Sequence, residues 1–551
     1  MNERIRDLTL ALGGLIALAA LGPSLGACSG SMDATEMGRG TPDSGSGAST
    51  ASGGRGAGNS AGSFGNAGTT SMGGGAGMPP KPEQELESAF EVPVATDRFV
   101  WTANPETGRV ALIDAETYEV RLAEAGLRPT TVAAVPNEDG EDTAIVLNAD
   151  SGDATLLRVN AERELTTLVV STHLGANAVT VAPSGRYAVA WTNAAAFADG
   201  ELDTTDGLQD VTVIAFGEEP RSTILSVGYR PSRVAFDRDE TRAFIVTEPG
   251  LSVVALGEEP RADELVELTD RPVSDQSVRD VSITPDGELA VVRVDGSTEL
   301  GIVDIAQHER RSIELGDFVT DLDLSRDGTQ AFAVVGTELV AVPIPPGNAD
   351  PGAFPRASVT GALARSVSLS PDSELALLYS NADPSPYLGI LTSDDDWESF
   401  SGRAVDLKAP VKAVFAAPDA RHGVVFQSTA EGSRKAGAFS IVSAEPNRAP
   451  KIVGTDAPPF QVAFAPDGAD AVIATRDLAA AKYGMYLLHL DNLEENFTAL
   501  PSPPLAAGMV PAARTAFVAQ AHPEGRITFV NLDDGSQRTL TGFELAAKVV
   551  E

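Results

Sequence analysis

Apolar residues in this chain come in short runs, mostly alternating or β-branched, broken every few residues by Gly, Pro, Asp and Ser. The pattern predicts strands and tight turns, and a 3.6-residue period hardly appears. The stretch 278–315 shows the unit clearly. Val278–Thr284 alternates, with Val281 and Ile283 on one face, and Pro285-Asp286-Gly287 turns the chain. Leu289–Val294 is the apolar run of a strand buried on both faces, Asp295-Gly296-Ser297 turns again, and Leu300–Ile305 and Arg311–Leu315 supply a third and a fourth strand. A single four-stranded antiparallel sheet cannot cover both of its faces, so it must stack on copies of itself.

The copies are present. Aligned on the turn between first and second strands, reference positions fall at 136, 183, 238, 285, 326, 371, 418, 466 and 511, with steps of 47, 55, 47, 41, 45, 47, 48 and 45. A period near 45 with four strands per unit predicts an all-β fold, a single β-propeller of four-stranded antiparallel blades. In the turn itself Pro presets φ, Asp bonds the turn backbone and Gly takes the positive φ. Arg98-Phe99-Val100-Trp101-Thr102-Ala103-Asn104 parallels Arg186-Tyr187-Ala188-Val189-Ala190-Trp191-Thr192-Asn193, so 97–122 reads as a blade without its first strand. The C-terminal run Phe543–Val550 is then expected to supply that inner strand, closing the ring by pairing the two ends of the chain. Nine units plus this composite give about ten blades, with seven to ten the range the pattern admits. Only Leu478–Lys482 and Glu544–Lys548 carry helix-forming residues in a helix-length group.

Phe464-Ala465-Pro466-Asp467-Gly468-Ala469-Asp470-Ala471-Val472-Ile473-Ala474 and Leu324-Ser325-Arg326-Asp327-Gly328-Thr329-Gln330-Ala331-Phe332 resemble the repeats of TolB-like and WD40-like bacterial propellers. Arg109-Val110-Ala111-Leu112-Ile113-Asp114 followed by Thr117-Tyr118 resembles the strand of YVTN-type surface propellers. The resemblance spans roughly 97–551 and rests on structural turns; it implies a propeller fold and carries no catalytic residue.

The N-terminal region is of a different kind. Arg4 and Arg6 precede the apolar run Leu8–Leu21, which has the form of a secretory signal and is short for a membrane span. It ends in Leu25-Gly26-Ala27-Cys28, close to a bacterial lipobox, and Cys28 is the only cysteine in 551 residues. The expected organisation is a lipoprotein signal at 1–27, an acylated Cys28 opening a tether at 28–84, and the propeller at 85–551. An ordinary cleaved signal or an uncleaved anchor is the alternative. Acyl chains at ~0.8 kcal/mol per buried methylene would hold the protein on a membrane. Ser29, in place of Asp, resembles the pattern of lipoproteins sent to the outer membrane. The 28–84 segment is rich in Gly, Ser, Ala and Thr and nearly devoid of large apolar side chains, a flexible tether with a reach of roughly 40 Å.

A net charge of −38 argues against nucleic acid and anionic lipid headgroups as ligands. The longest insertion, 194–210, carries Asp199, Glu201, Asp203, Asp206 and Asp210 around Gly200 and Gly207. Oxygen ligands on such a loop suit Ca²⁺, although the spacing is not that of an EF-hand and a solvated acidic loop is the plainer reading. Asp394-Asp395-Asp396 reads as a polar turn. His173, His308, His422, His489 and His522 show no metal-ligand spacing, and no HExxH or CxxC is present. Trp101 and Trp191 are expected in the blade core, and Trp397, between acidic residues, on an exposed loop. A propeller offers a rigid disc with many loops at each end, and binding needs no catalytic constellation, so the favoured reading is a membrane-anchored scaffold, more an interaction module than an enzyme, with a protein or glycan partner and no cofactor beyond that calcium. A lactonase-like, metal-dependent hydrolase at the channel and a structural part of an envelope assembly are the alternatives.

Overall fold

A computed structural model of the protein describes residues 93–551 apart from 137–140, 198–206, 271–278, 394–396, 430–431, 523, 544–547 and 550–551. The described chain forms ten antiparallel sheets in sequence order, the blades of one propeller. Blade 1 covers 94–124, blade 2 129–171, blade 3 178–226, blade 4 233–266 and blade 5 279–314. Blade 6 covers 319–357, blade 7 366–406, blade 8 411–455, blade 9 459–499 and blade 10 504–541. In blade 5 the strands are Arg279–Ile283, Leu289–Val294, Glu299–Asp304 and Glu309–Glu314, one or two residues from the boundaries expected at their ends. All nine reference turns lie between the first and second strands of blades 2–10.

The apolar runs are explained by what lies on each side of a blade. Buried hydrophobic side chains fall into ten clusters, one for each seam between neighbouring blades. Side chains alternate across a strand, so Ala290 and Val292 join the cluster shared with blade 4 while Val291 joins the one shared with blade 6. Both faces are covered, and alternation of apolar with polar disappears from the second and third strands.

First strands of neighbouring blades lie against each other and surround the axis. Each offers an edge with no fifth strand to pair with, and side chains answer it across the seams. Thr131 Oγ1 donates to Asn177 O (2.9 Å), Arg233 Nη1 to Val281 O (3.1 Å) and Thr320 Oγ1 to Arg365 O (2.6 Å). Gln461 bonds Ala507 twice, accepting from its N–H (2.8 Å) and donating to its carbonyl (3.3 Å). Such bonds satisfy backbone groups that would otherwise be buried unpaired.

The turn glycines serve a second purpose beyond their positive φ. A Cβ on Gly185 would fall 1.8 Å from Pro136 O, one on Gly328 2.3 Å from Pro285 Cδ, and one on Gly468 2.5 Å from Asp419 N. Each turn is thus seated directly on the equivalent turn of the preceding blade. Where there is room, other residues take the same place: Ser373 at φ 64° and Ala420 at φ 54°.

Closure differs from the expectation in one respect. Blade 1 has a first strand of its own, Val94–Ala95, paired antiparallel with Val100 and Trp101. The C-terminal Lys548–Val549 pairs parallel with Arg121 and Leu122 on the outer strand, making blade 1 five-stranded. The two ends do meet in one sheet, but at opposite edges. The seam between blades 10 and 1 is sealed by packing, with Val100, Ile113 and Leu122 against Val510, Phe517 and Phe529, and Ala512 N–H bonds Asp97 O at 2.9 Å. Nor does 478–481 form a helix: it is the turn between the second and third strands of blade 9. Ala194–Ala196 and Pro351–Ala353 form short helical turns. Most of the Glu544–Lys548 group lies outside the described residues.

Candidate functional site

Three regions concentrate chemistry: the rim of blades 2–4, the inner strands of blades 5–7 and the seam between blades 8 and 9.

At the rim, the fourth strands of blades 2, 3 and 4 run beside one another. They expose Val169, Ile224 and Leu265, and the connections that follow the first two expose Leu174 and Tyr229. The spacing repeats, with Val169 and Leu174 five residues apart and Ile224 and Tyr229 likewise. Val169 and Leu174 keep 62% and 63% of their surface in solvent, which an isolated domain gains nothing from. The fourth strand of blade 2, Leu165–Ser171, contains no charged residue, whereas outer edges are ordinarily guarded by charge.

The inner strands of blades 5–7 carry buried charge. Arg293 is buried and pairs with Asp280 and, at 2.7 Å, with Asp295. Asp321 accepts from Val367 N–H of the next blade at 2.7 Å. Burial, helped by Asp280, pushes the Asp321 carboxyl up to about 6 against the attraction of Arg293. Burial and then Asp321 push Asp323 well above the usual carboxylate range. These groups were not singled out from sequence because Asp321-Leu322-Asp323-Leu324 alternates as a solvent-facing strand would.

The histidines separate into different roles. His173 is buried with both ring nitrogens on threonine hydroxyls, Thr212 Oγ1 at 2.8 Å and Thr192 Oγ1 at 3.1 Å, and burial lowers its pKa. His308 occupies a left-handed turn position in blade 5, and His489 pairs with Asp470 at 2.6 Å. His522 accepts from Glu524 N–H. His422 Nδ1 lies 2.5 Å from Asp419 Oδ2, and Asp491 of blade 9 comes close to both, a grouping that spans two blades and is invisible in sequence spacing.

Of the proposed calcium ligands, Asp199, Asp203 and Asp206 lie outside the described residues, as do Glu201 and Asp394–Asp396. Asp210 opens the third strand of blade 3 and accepts from Ser226 Oγ at 3.1 Å. Cys28, the signal and the tether also lie outside them. Trp101 and Trp191 are in the blade core as expected. Trp397 is not on an exposed loop: only 4% of its surface is exposed, it packs edge-on against Phe332, and its Nε1 donates to Ser373 O at 2.7 Å. The neighbouring carboxylates suggested exposure, but a left-handed backbone at Trp397 turns the ring into the seam between blades 6 and 7. Open clefts of about 370 and 410 Å³ lie at the blade 10–blade 1 seam beside Tyr118 and Phe543, and at blade 6 beside Asp317 and Arg356.

These features define a ten-bladed β-propeller, and its likeness to known proteins extends to solved structures. No family model matches the chain, and no curated protein matches it. A crystal structure of a eukaryotic initiation factor aligns at 13% identity over 71% of this chain and 94% of its own, with a TM-score of 0.47. Dihydro-heme d1 dehydrogenase NirN, in complex with DHE, aligns at 15% identity over 61% of this chain and 71% of its own, with a TM-score of 0.38. Kuenenia stuttgartiensis hydrazine synthase aligns at 14% identity over 56% and 94%, with a TM-score of 0.33.

Proposed function

We propose that this chain is a lipid-anchored lipoprotein of the bacterial cell envelope, held on the outer membrane through Cys28, whose propeller is a docking scaffold for a protein partner. The observation that carries the reading is the exposed apolar set Val169, Leu174, Ile224, Tyr229 and Leu265, repeated across three adjacent blades of a strongly acidic molecule. Exposed apolar side chains that recur on neighbouring blades of an acidic surface suit a protein contact, and aliphatic side chains favour a protein over a glycan. The lone cysteine after an apolar run, the Gly-rich tether and the resemblance of the repeats to TolB-like and YVTN-type propellers support the envelope location.

The test is site-specific photocrosslinking in intact envelopes, with the crosslinker at Val169, Ile224 or Leu265 and, as controls, at Leu478 or Phe497 of blade 9, which are exposed as well. One discrete adduct from the first set and none from the second is expected. Equal labelling from both sets, or none from either, refutes the assignment of the rim. Cys28→Ala is expected to release the protein from the membrane fraction; retention of that variant refutes the lipid anchor.

A further inference from the structure

We infer that the fourth strand of blade 2, Leu165–Ser171, receives an extended, basic segment of a partner protein as a fifth strand of its sheet, an inference that rests on the docking reading of the rim. The other nine described fourth strands each carry at least one Lys, Arg, Asp or Glu, and this one carries none. It also lacks proline, and among the described residues no strand pairs with its outer edge. An uncharged, unpaired edge is a template for another strand. The chain itself uses such an edge once, where Lys548–Val549 extends blade 1 beyond its fourth strand.

The register says what the edge presents. Asn160 N–H bonds Glu164 O (3.1 Å) and Thr172 N–H bonds Gly152 O (2.9 Å), at the two ends of an unbroken pairing between third and fourth strands. Hydrogen-bonded pairs alternate along an antiparallel ladder, so residues 164, 166, 168, 170 and 172 turn their backbone groups inward. Leu165, Thr167, Val169 and Ser171 turn theirs outward. Leu168 and Val170 pack into the seam with blade 3, which leaves Thr167 and Val169 on the opposite face, both exposed. An added strand therefore meets a row of free main-chain donors and acceptors, with Val169 beside it to cover an apolar side chain.

Charge selects the occupant. The hairpins that lead into the fourth strands of blades 2, 3 and 4 expose Glu162 and Glu164, Glu218 and Glu219, and Glu258 and Glu259. Against them stand Arg163, Arg221 and Arg261. Arg163 is turned to Asp114 of blade 1 (3.3 Å) and Arg261 to Asp263 of its own strand (3.5 Å). The end of the open edge beside residues 162–164 is accordingly acidic. A segment with Lys or Arg at one end and β-branched residues after it is its complement. A second copy of this chain would bring the same glutamates and a net charge of −38 to the contact, which repels.

Main-chain bonds hold an added strand whatever its sequence, so a generic peptide serves as the probe. Labelled peptides of alternating Val and Thr, with Lys-Lys at one end or the other, are titrated with the full chain and followed by fluorescence anisotropy. Saturable binding of a Lys peptide is expected, about tenfold weaker when Glu replaces Lys. Thr167→Pro deletes an outward N–H that the sheet does not use and should weaken binding about tenfold. Val169→Lys restores the usual charged guard and should abolish it; if Thr167→Pro fails to fold, this variant decides. No saturable binding by either Lys peptide overturns the inference, as does binding that both variants leave unchanged. Self-association of the wild type that Val169→Lys abolishes would make the occupant a second copy and overturn it too. In intact envelopes, an Ile224 crosslink that survives Thr167→Pro leaves the docking rim standing and refutes strand addition. Absence of that crosslink in the wild type refutes the rim itself, and the inference with it.

Discussion

Replacing Gly185 by alanine isolates the seating of one blade turn on the next. The residue has φ +71°, where a Cβ costs roughly 1–2 kcal/mol. That Cβ would also fall 1.8 Å from Pro136 O, a backbone atom of the neighbouring blade that no rotamer change can move. Restoring an ordinary contact of about 3.4 Å requires the two blades to part by more than an ångström, and overpacking of this kind costs roughly 1–3 kcal/mol. The sum is about 2–5 kcal/mol. Gly535 is the control: its φ is +67°, and a Cβ there would meet nothing within 4 Å. Gly535→Ala therefore carries the backbone cost alone, reduced by ~0.4–1 kcal/mol because alanine restricts the unfolded chain. Urea unfolding followed by circular dichroism and by tryptophan fluorescence measures both variants. Gly185→Ala is expected to fall below Gly535→Ala by about 1–3 kcal/mol. Two variants within ~0.5 kcal/mol of each other would refute the claim that turn glycines set the blade spacing.

Two further outcomes follow from the inner strands. The folded Asp321 carboxyl sits near 6 against an ordinary 3.8, so between those values the folded chain keeps a proton that the unfolded chain has lost. Stability from this group is therefore lost as pH rises through that window, on the order of 2–3 kcal/mol. Asp321→Asn should gain on the wild type by about that amount between pH 4 and pH 7 in chemical unfolding, and parallel pH profiles would refute it. Gln461→Leu strips both partners from Ala507 at a buried seam and should cost roughly 2–4 kcal/mol. A loss under ~0.5 kcal/mol in the same assay would mean that these cross-seam bonds contribute little to the ring.

The architecture was legible because its signals are local. Pro285-Asp286-Gly287 and its counterparts declare the turn from three residues, and Leu289–Val294 declares a strand covered on both faces. The closing geometry was not, since Val94–Ala95 is too short to register as a strand and its partner edge is set by neighbours far along the chain. Candidate sites were harder still. Asp419 and His422 are three apart and readable as a turn, yet Asp491 joins them only because blade 9 stacks on blade 8. Asp321 and Asp323 alternate with leucine like any surface strand, and only the ring places Asp321 beside Arg293. Trp397 misled for the converse reason: flanking carboxylates describe the loop and say nothing of where a left-handed residue directs its ring.

Val94 and Val549 lie on opposite edges of the same sheet, four strand spacings apart, or about 19 Å at ~4.8 Å per spacing. A bridge of about six extended residues, at ~3.3–3.6 Å each, spans that gap. The circle can therefore be spliced there and cut open between any other two blades, and a permuted chain would keep every seam. Blade order around the axis, rather than the point where the polypeptide starts, is what this molecule must preserve.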